Sequence, residues 1–333
     1  MNARVAAVLV VLLVALGGGA LLLLRQESAQ QPSSAGALGQ RLVKDLKAAD
    51  VAQIRIVEPK STLTVQRKDD AWTIAEREGF PADLAKVRGF VLKLIELKVG
   101  QSEPIGEKDR ARLQLDDSGT RVELLGADGK ALAKLVVGKK YFSREPENPE
   151  KQPGDGRFVL RPDEPGTVYV VPDPLAQARA RSADWIDRAG PKIEKVKTLE
   201  VRPADGPGYR IERSGDNADW KLADARPGEK LEVTRANAAS YVLGQMELAD
   251  VAPKDTALDD PTLIKVTTLA GASYEMKVGK PQGDNYPVAM TTTSEEPRDK
   301  LLSRYVLLVP KSKLEDTLKP RAEMLAKKEE QKK

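Results

Sequence analysis

Cysteine and histidine are both absent from this 333-residue chain, and the two absences exclude several kinds of chemistry. The chain has no Cys/His zinc site, no thiol nucleophile, no haem ligation through imidazole and no catalytic triad with an imidazole base. The lack of cysteine also excludes disulfides and the acylated cysteine of a lipoprotein. A catalytic site would have to use carboxylates, lysine, serine or tyrosine. We therefore expect a protein that is not an enzyme and that uses no catalytic residue, metal or cofactor.

Aromatic residues are also scarce, at 4%, whereas charged residues make up 31% of the chain. The hydrophobic cores must therefore be mostly aliphatic. The 54 basic and 50 acidic residues give a net charge of +4, and the two signs are interleaved along the sequence. Because this mixture gives no concentrated basic face, nucleic acid is not an expected partner. The length suits two domains of ordinary size, each able to bury its own core.

One long apolar run is present, and it begins at Val5 and ends at Leu24 between two arginines. A helix needs about 20 such residues to span the roughly 30 Å hydrocarbon core of a bilayer. The alternative is a cleaved signal peptide, whose apolar region is about 7–15 residues long and ends near a small-x-small site; the nearest such triplet begins only at Ala35. The run predicts a transmembrane anchor over residues 1–25 in the bacterial inner membrane, with the bulk of the chain outside the cytoplasm. A flexible spacer follows over residues 26–48.

The remaining sequence contains the same order of elements twice, over residues 49–190 and 191–320, before a charged tail at 321–333. Each half opens with short strand patterns that end on a tryptophan, Trp72 or Trp220. An amphipathic helix, a hairpin with a glycine turn, and a last strand that ends in Val-Pro then follow in both halves. The two halves therefore indicate a tandem repeat.

This order of elements predicts an α+β fold in which each repeat has an antiparallel sheet covered on one face. One amphipathic helix and a short C-terminal helix accompany each sheet. Pro81 suits the first turn of the first amphipathic helix, and Thr234 suits the N-cap of the second. We expect these two helices to end at Glu96 and Glu247.

Two short motifs also resemble a known family. Phe80-Pro81-Ala82-Asp83 introduces the first helix, and Trp185-Ile186-Asp187 precedes the next strand pattern. Together with the N-terminal helix and the early strands that end in tryptophan, they resemble the domain-of-unknown-function family 4340 over nearly the whole chain after the spacer. Members of that family are often encoded beside ABC transporter subunits similar to those associated with gliding motility. The resemblance implies an accessory role with ABC permease and ATPase subunits as partners, and it assigns no catalytic residue.

The candidate region for partner contact is a long loop in the first repeat, residues 139–157, where the second repeat has only residues 280–286. A long loop between strands is either functional or disordered. Two aromatic residues at its root would be unusual in a solvated linker, although they would also fit an extension of the strand. The candidate contact residues are Tyr141, Phe142, Arg144 and Arg157.

Other patterns permit a site, but a structural role is favoured for each. The two repeat-equivalent tryptophans could stack on a sugar, yet large rings also stabilise small cores. The acidic clusters around Asp116 and Asp259 lack the spacing of a calcium loop and suit solvated loops and helix caps. Glu96 and Glu247 are equivalent carboxylates at predicted helix ends, and a paired-acid site there stays open.

Three classes of function are compatible with these features. The first is a membrane-anchored accessory or scaffold protein of an ABC-type transport complex, which acts by protein–protein contact without catalysis. The second is a periplasmic module that binds a small ligand or a cell-wall glycan in a groove between the repeats. The third is an enzyme that uses carboxylates or lysine. We favour the first.

Overall fold

The computed structural model describes residues 37–144, 146–253 and 255–326. The predicted anchor at residues 5–24 lies outside the described residues, as do residues 26–36 of the predicted spacer and residues 327–333 of the tail. Within the described part of the chain, no helix is both long enough and apolar enough to cross a membrane.

The chain forms two compact units. The first unit contains Met1–Thr64 and Arg88–Ala180, and the second contains Val65–Val87 and Arg181–Lys333. A short segment from the first half of the sequence therefore belongs to the second unit.

The first antiparallel sheet has nine strands. They are β1 (Gln53–Glu58), β2 (Ser61–Lys68), β3 (Ala71–Ile74), β4 (Phe80–Pro81), β5 (Gln101–Pro104), β6 (Thr120–Leu125), β7 (Ala131–Tyr141), β8 (Gly156–Leu160) and β9 (Thr167–Val171). Their order in the sheet is β4-β3-β2-β1-β6-β7-β8-β9-β5. Helix α1 (Leu84–Glu96) follows β4, and the short helix α2 (Glu107–Arg112) follows β5.

The second antiparallel sheet has eight strands. They are β10 (Val196–Arg202), β11 (Tyr209–Glu212), β12 (Lys221–Leu222), β13 (Asp250–Val251), β14 (Thr262–Thr268), β15 (Ser273–Val278), β16 (Asn285–Thr292) and β17 (Val306–Pro310). Their order is β12-β11-β10-β14-β15-β16-β17-β13. Helix α3 (Val233–Gly244) precedes β13, α4 (Pro297–Leu302) lies between β16 and β17, and α5 (Arg321–Met324) follows β17.

The two sheets have the same order of strands once β4 is set aside. Their registers also correspond, because Arg55 on β1 lies opposite Glu123 on β6, and Glu200 on β10 lies opposite Lys265 on β14. The charges at these equivalent positions are reversed. The prediction of a mixed fold with two antiparallel sheets is confirmed, and the shared order does not depend on the sign of these charges.

Alternation of apolar and polar residues explains why the paired strands form. Ile54 and Ile56 on β1 are fully buried, as are the equivalent Leu199 and Val201 on β10. In a strand, alternate side chains point to the same face, so these residues enter the core while their neighbours do not. Each buried aliphatic side chain contributes about 1.5–3 kcal/mol to folding.

Helix α1 begins later than the prediction placed it. Pro81 lies in β4 rather than in the first helical turn. The cap is Asp83, whose Oδ1 accepts hydrogen bonds from the backbone N–H groups of Ala85 at 2.9 Å and Lys86 at 3.2 Å. A carboxylate at this position satisfies N–H groups that have no partner within the helix. The helix ends at Glu96, as predicted.

Helix α3 differs from its prediction at both ends. Its N-cap is Glu232, whose carboxylate accepts hydrogen bonds from the N–H groups of Thr234 at 3.1 Å and Arg235 at 3.0 Å. The cap predicted at Thr234 was wrong, because the helix already begins at Val233 and the side chain of Glu232 reaches forward to its first turn. The helix ends at Gly244, before the predicted Glu247.

Candidate partner-contact site

The predicted loop at residues 139–157 is shorter in the structure because strands enter it from both sides. Strand β7 continues through Tyr141, and β8 begins at Gly156. Lys140 lies opposite Arg157, and Tyr141 lies opposite Gly156. The connection is therefore residues 142–155, which we call the β7–β8 loop. Of the two explanations for Tyr141, the extension of the strand is the correct one.

Lys140 connects the β7–β8 loop to the end of β7 through hydrogen bonds. Its Nζ donates hydrogen bonds to the carbonyl oxygens of Pro149 at 3.1 Å, Glu150 at 3.0 Å and Gln152 at 2.6 Å. An ammonium group has three donors, and here all three are directed at backbone acceptors. A single side chain thus fixes the short 3₁₀ turn at Pro149–Lys151.

A second set of contacts closes the loop near its ends. Asp155 Oδ2 accepts hydrogen bonds from the backbone N–H of Ser143 at 2.8 Å and from its hydroxyl at 2.5 Å. The N–H of Asp155 donates to the carbonyl of Tyr141 at 2.9 Å. The hydrogen bonds from Ser143 lower the pKa of the Asp155 carboxyl.

Two glycines at the end of the loop are explained by the geometry of the backbone. Gly154 has a φ of +88°, a backbone conformation that glycine adopts without steric cost. A Cβ on Gly156 would collide with the carbonyl of Val171 on the neighbouring strand. Gly154 thus permits the turn, and Gly156 permits the chain to return closely against β9.

The four candidate contact residues have different environments. Tyr141 is half-buried, and its ring meets Phe158 edge to face with 5.6 Å between the ring centres. Phe142 is half-buried and Arg144 is exposed. Arg157 is half-buried on β8 and lies opposite Val171 on β9. Sequence analysis did not select Lys140 and Asp155, which hold the loop. A run of polar residues does not show which side chains form hydrogen bonds with one another or with the backbone.

A second feature is a groove of about 350 Å³ over one face of the second sheet. Its lining includes Lys265, Glu275, Lys277, Ala289 and Thr291. These residues occupy alternate positions on adjacent strands, so they share a face of the sheet.

The equivalent face of the first sheet is closed. Val136 lies opposite Leu160, which lies opposite Val168, and Leu115 completes a buried apolar cluster with them. The corresponding row in the second sheet is Lys277, Ala289 and Val306. The first sheet therefore carries an additional small core here, which the prediction of a sheet covered on one face did not include.

The two repeat-equivalent tryptophans, Trp72 and Trp220, differ in how far they are buried. Trp220 is 4% exposed and lies beneath the guanidinium of Arg213, which is 4.8 Å from the ring centre. Trp72 is only half-buried. The core role is thus confirmed for Trp220 and applies only in part to Trp72.

The acidic candidates lie in solvent. Asp116 accepts hydrogen bonds from the backbone N–H and hydroxyl of Ser118, which is a loop cap of the predicted kind. Glu96 and Glu247 are both exposed, so neither lies in the desolvated cleft that a catalytic acid pair requires. In the parts of the chain that the structure describes, no group of three or more acidic side chains is arranged to hold a metal ion.

The two motifs that suggested a family meet in the second unit. Ala82 and Ile186 form an antiparallel β-bridge, and the N–H of Asp187 donates to the carbonyl of Pro81 at 3.0 Å. Phe80 is fully buried, with its ring edge to face with Tyr305 at 5.1 Å between centres. The motifs thus form one structural junction.

A mixed α/β chain with two antiparallel sheets of matching strand order is the class of protein that the described residues define. The family described as "Domain of unknown function (DUF4340)" matches residues 72–265, which is more than half of the chain. The chain therefore belongs to this family, and the predicted resemblance is confirmed. Comparisons with curated proteins and with solved structures gave no match.

Proposed function

We propose that the chain is a membrane-anchored, non-catalytic accessory protein of an ABC-type transport complex, and that the β7–β8 loop contacts the other subunits. The observation that supports this proposal is the way in which the loop is held. Its backbone is fixed by Lys140 and Asp155, while Phe142 and Arg144 take no part in the hydrogen bonds that fix it.

A loop fixed in this way is suited to binding. Ordering a flexible segment on association costs free energy, and a segment already held by its own contacts avoids most of that cost. The second sheet makes the equivalent connection between β15 and β16 with only residues 279–284. The fold therefore does not require the longer loop in the first sheet. A role in contacting a partner would explain why the loop is present.

The transporter as partner and the anchor at residues 5–24 rest on the family resemblance and on the apolar run. In this proposal the run places the bulk of the chain outside the cytoplasm, on the side where the extracytoplasmic surface of a permease is accessible. Any ATPase would be a separate chain, because this sequence has no Walker lysine motif.

The test is affinity purification of the full-length protein from gently solubilised native membranes, followed by mass spectrometry. We expect an ABC permease and ATPase in near-equal amounts with the wild-type chain. Replacing residues 142–155 with the shorter sequence of residues 279–284 should remove both. The matched control, Lys139→Met, changes an exposed lysine beside the loop and should retain them. Unchanged recovery after the loop exchange would reject the contact role of the loop.

A second candidate function is a module that binds a small ligand or a cell-wall glycan, and the groove over the second sheet favours it. Soluble peptidoglycan fragments can be titrated into the full-length protein and binding followed by calorimetry. Ala289→Leu narrows the groove and should weaken binding, whereas Leu132→Ala, at an exposed position in the first unit, should not. No heat of binding with the wild-type protein would remove this alternative for that ligand class.

A further inference from the structure

We propose that the groove over the second sheet binds an amphipathic helical segment of a partner protein, and that a carboxylate of this segment pairs with Lys277. The groove has a volume of about 350 Å³, and its lining residues all belong to the second unit. This inference rests on the proposed function, because it gives the accessory protein a contact surface besides the β7–β8 loop.

The first unit shows what kind of element covers the equivalent face of its own sheet. The cover is the connection between β5 and β6, residues 105–119, which contains the short helix α2. Apolar residues on both sides of the helix pack against the strands, with Ile105, Leu113 and Leu115 on Val136, Leu160 and Val168. A short helical segment with flanking apolar side chains therefore fits this face of the fold.

The second unit lacks most of this cover. Its equivalent connection, between β13 and β14, has only residues 252–261, and the described residues among them form no helix. Leu258 takes the position that Leu115 has in the first unit, since each leucine places its Cδ2 2.8 Å from where a Cβ on the equivalent glycine of its own sheet would lie. None of the described residues of this connection lines the groove, so the rest of the face stays open.

The strands consequently leave apolar surface in contact with water. Leu160 is 4% exposed in the first sheet, whereas the equivalent Ala289 is half-buried in the second. Val168 is 6% exposed, whereas the equivalent Val306 is half-buried. Because alanine is smaller than leucine, the second sheet has room at this point for an apolar side chain from outside. Burial of such surface is the main favourable contribution to most protein association.

One position in the same row changes from apolar to charged. Val136 of the first sheet is buried opposite Leu160, and the exposed Lys277 occupies the equivalent position opposite Ala289. Lysine can lay its methylene groups along apolar surface while its ammonium group stays in water. The groove thus combines an aliphatic surface with one cation inside the row.

The charge of Lys277 is the one that a partner can pair. Two other cations line the groove, and both already have carboxylates: Arg202 pairs with Glu200, and Lys265 pairs with Glu275. Lys277 has no ion pair within the described ranges of the chain. Complementary charge guides association and fixes the orientation of the partner. An acidic side chain beside the apolar face of the partner therefore suits this groove.

A protein segment suits the groove better than a sugar does. Amphipathic helices are commonly bound by laying their apolar face into a groove of this kind. None of the described residues that line the groove is aromatic, so it offers no ring on which a sugar could stack. The lining instead includes the aliphatic side chains of Leu263 and Ala289.

The experiment uses the full-length protein in phosphatidylcholine nanodiscs, with empty nanodiscs as the blank. Two fluorescein-labelled helical peptides carry leucines at helical spacing on one face. One peptide has glutamates beside the leucines, and the other has lysines at the same positions. Binding is followed by fluorescence anisotropy. We expect the Glu peptide to bind, and the Lys peptide to bind about tenfold more weakly because like charges oppose association.

The variants copy the first sheet, so that the fold is preserved. Ala289→Leu copies Leu160 and fills the groove, which should weaken binding of the Glu peptide about tenfold. Lys277→Val copies Val136 and removes the ion pair, which should weaken it about fivefold and reduce the difference between the two peptides. Lys221→Gln is the matched control, because it removes an exposed lysine on β12, at the other edge of the same sheet, and should leave the affinity unchanged.

Three results would overturn the proposal. The first is the same affinity of wild type and Ala289→Leu for the Glu peptide, or the same affinity of the wild type for the two peptides. The second is dimerisation of the wild type that Ala289→Leu abolishes, without peptide binding, which would assign the groove to a second copy of the chain. The third is binding of peptidoglycan fragments that Ala289→Leu abolishes, without peptide binding, which would assign it to a glycan.

The outcome can be separated from that of the proposed function. If the Glu peptide binds the wild type but not Ala289→Leu, and no transporter subunit is purified with the wild-type chain, the groove site stands and the transport complex is rejected. If the transporter subunits are purified and the Glu peptide does not bind, the complex stands and the groove site is rejected.

Discussion

The backbone N–H of Asp83 donates a 2.8 Å hydrogen bond to the carbonyl oxygen of Trp185. The carboxylate of the same Asp83 caps helix α1 through the N–H of Ala85. One residue therefore begins a helix with its side chain and joins a distant segment with its main chain. The two motifs that carry the family resemblance are thereby explained as parts of one structural junction.

This double role predicts different effects for two substitutions of Asp83. Asp83→Ala removes the cap and should destabilise the start of α1 by about 0.5–2 kcal/mol. Asp83→Asn should keep most of the stability, because asparagine caps helices about as well as aspartate does. The measurement is hydrogen exchange at Ala85 and Lys86 in the full-length protein. Equal protection in wild type and Asp83→Ala would show that the carboxylate does not hold this turn.

Much of the fold could be predicted because its central strands have a strong local pattern. Strands such as β1 and β10 alternate apolar and polar residues, so their existence and their repeat could be seen in the sequence. The edge strands β5 and β13 have no such pattern: β5 reads QSEP, and β13 has two residues. They exist because β9 and β17 offer backbone partners to them, which is a long-range effect that no local pattern contains.

The candidate site was less predictable for the same reason. Arg157 was selected only because it ends a long loop, and the sequence did not indicate that its Nε would be buried. Helix α2, with the sequence EKDRAR, was missed because it has no apolar stripe.

The hydrogen bonds of Lys140 give a prediction about the β7–β8 loop. Lys140→Met keeps the length of the side chain but removes the three donors to the loop carbonyls. Amide exchange over residues 142–155 should become faster, while the sheet keeps its protection. Lys139→Met is the matched control, because Lys139 is exposed and its side chain has no ion pair within the described residues. Similar exchange in the two variants would mean that Asp155 alone fixes the loop.

Two equivalent glycines give a prediction that compares the sheets. A Cβ on Gly138 would lie 2.4 Å from the carbonyl oxygen of Leu113 and 2.8 Å from Cδ2 of Leu115, and one on Gly279 would lie 2.8 Å from Cδ2 of Leu258. Gly138→Ala and Gly279→Ala should each destabilise their own unit by about 1–3 kcal/mol through overpacking. Urea unfolding followed by unit-specific hydrogen exchange would measure this.

Gly89 provides the control for this pair. It lies within α1, and a Cβ there would meet no atom within 4 Å. Gly89→Ala should therefore stabilise the helix by about 0.5–1 kcal/mol, since glycine weakens helix interiors. If all three alanine variants shift stability in the same direction, the close approach of the leucines does not decide the effect.

Arg321 connects the C-terminal helix α5 to residues of the second unit through ion pairs and hydrogen bonds. It is 3% exposed, and its guanidinium contacts Glu229 Oε2 at 2.6 Å, Asp224 Oδ2 at 2.6 Å and the carbonyl of Gly208 at 3.1 Å. Arg321→Met fills a similar volume but leaves both carboxylates unpaired, so we expect a loss of about 1.5–3 kcal/mol. Lys319→Met removes a cation from the more exposed pair with Asp316 and should cost less.

The Arg321 contact also makes the stability of the second unit depend on pH. The hydrogen bond from Arg321 lowers the pKa of the Glu229 carboxyl from 4.5 to about 2. A carboxyl group with a lowered pKa stabilises the folded state fully above its unfolded pKa, and this contribution is lost as pH falls towards the folded pKa. The stability difference between wild type and Glu229→Gln should therefore be constant above about pH 5.5 and shrink between about pH 4.5 and pH 2. Urea midpoints of the second unit across this range would measure the difference, and a difference that does not change with pH would show that Glu229 is not the ionised partner of Arg321.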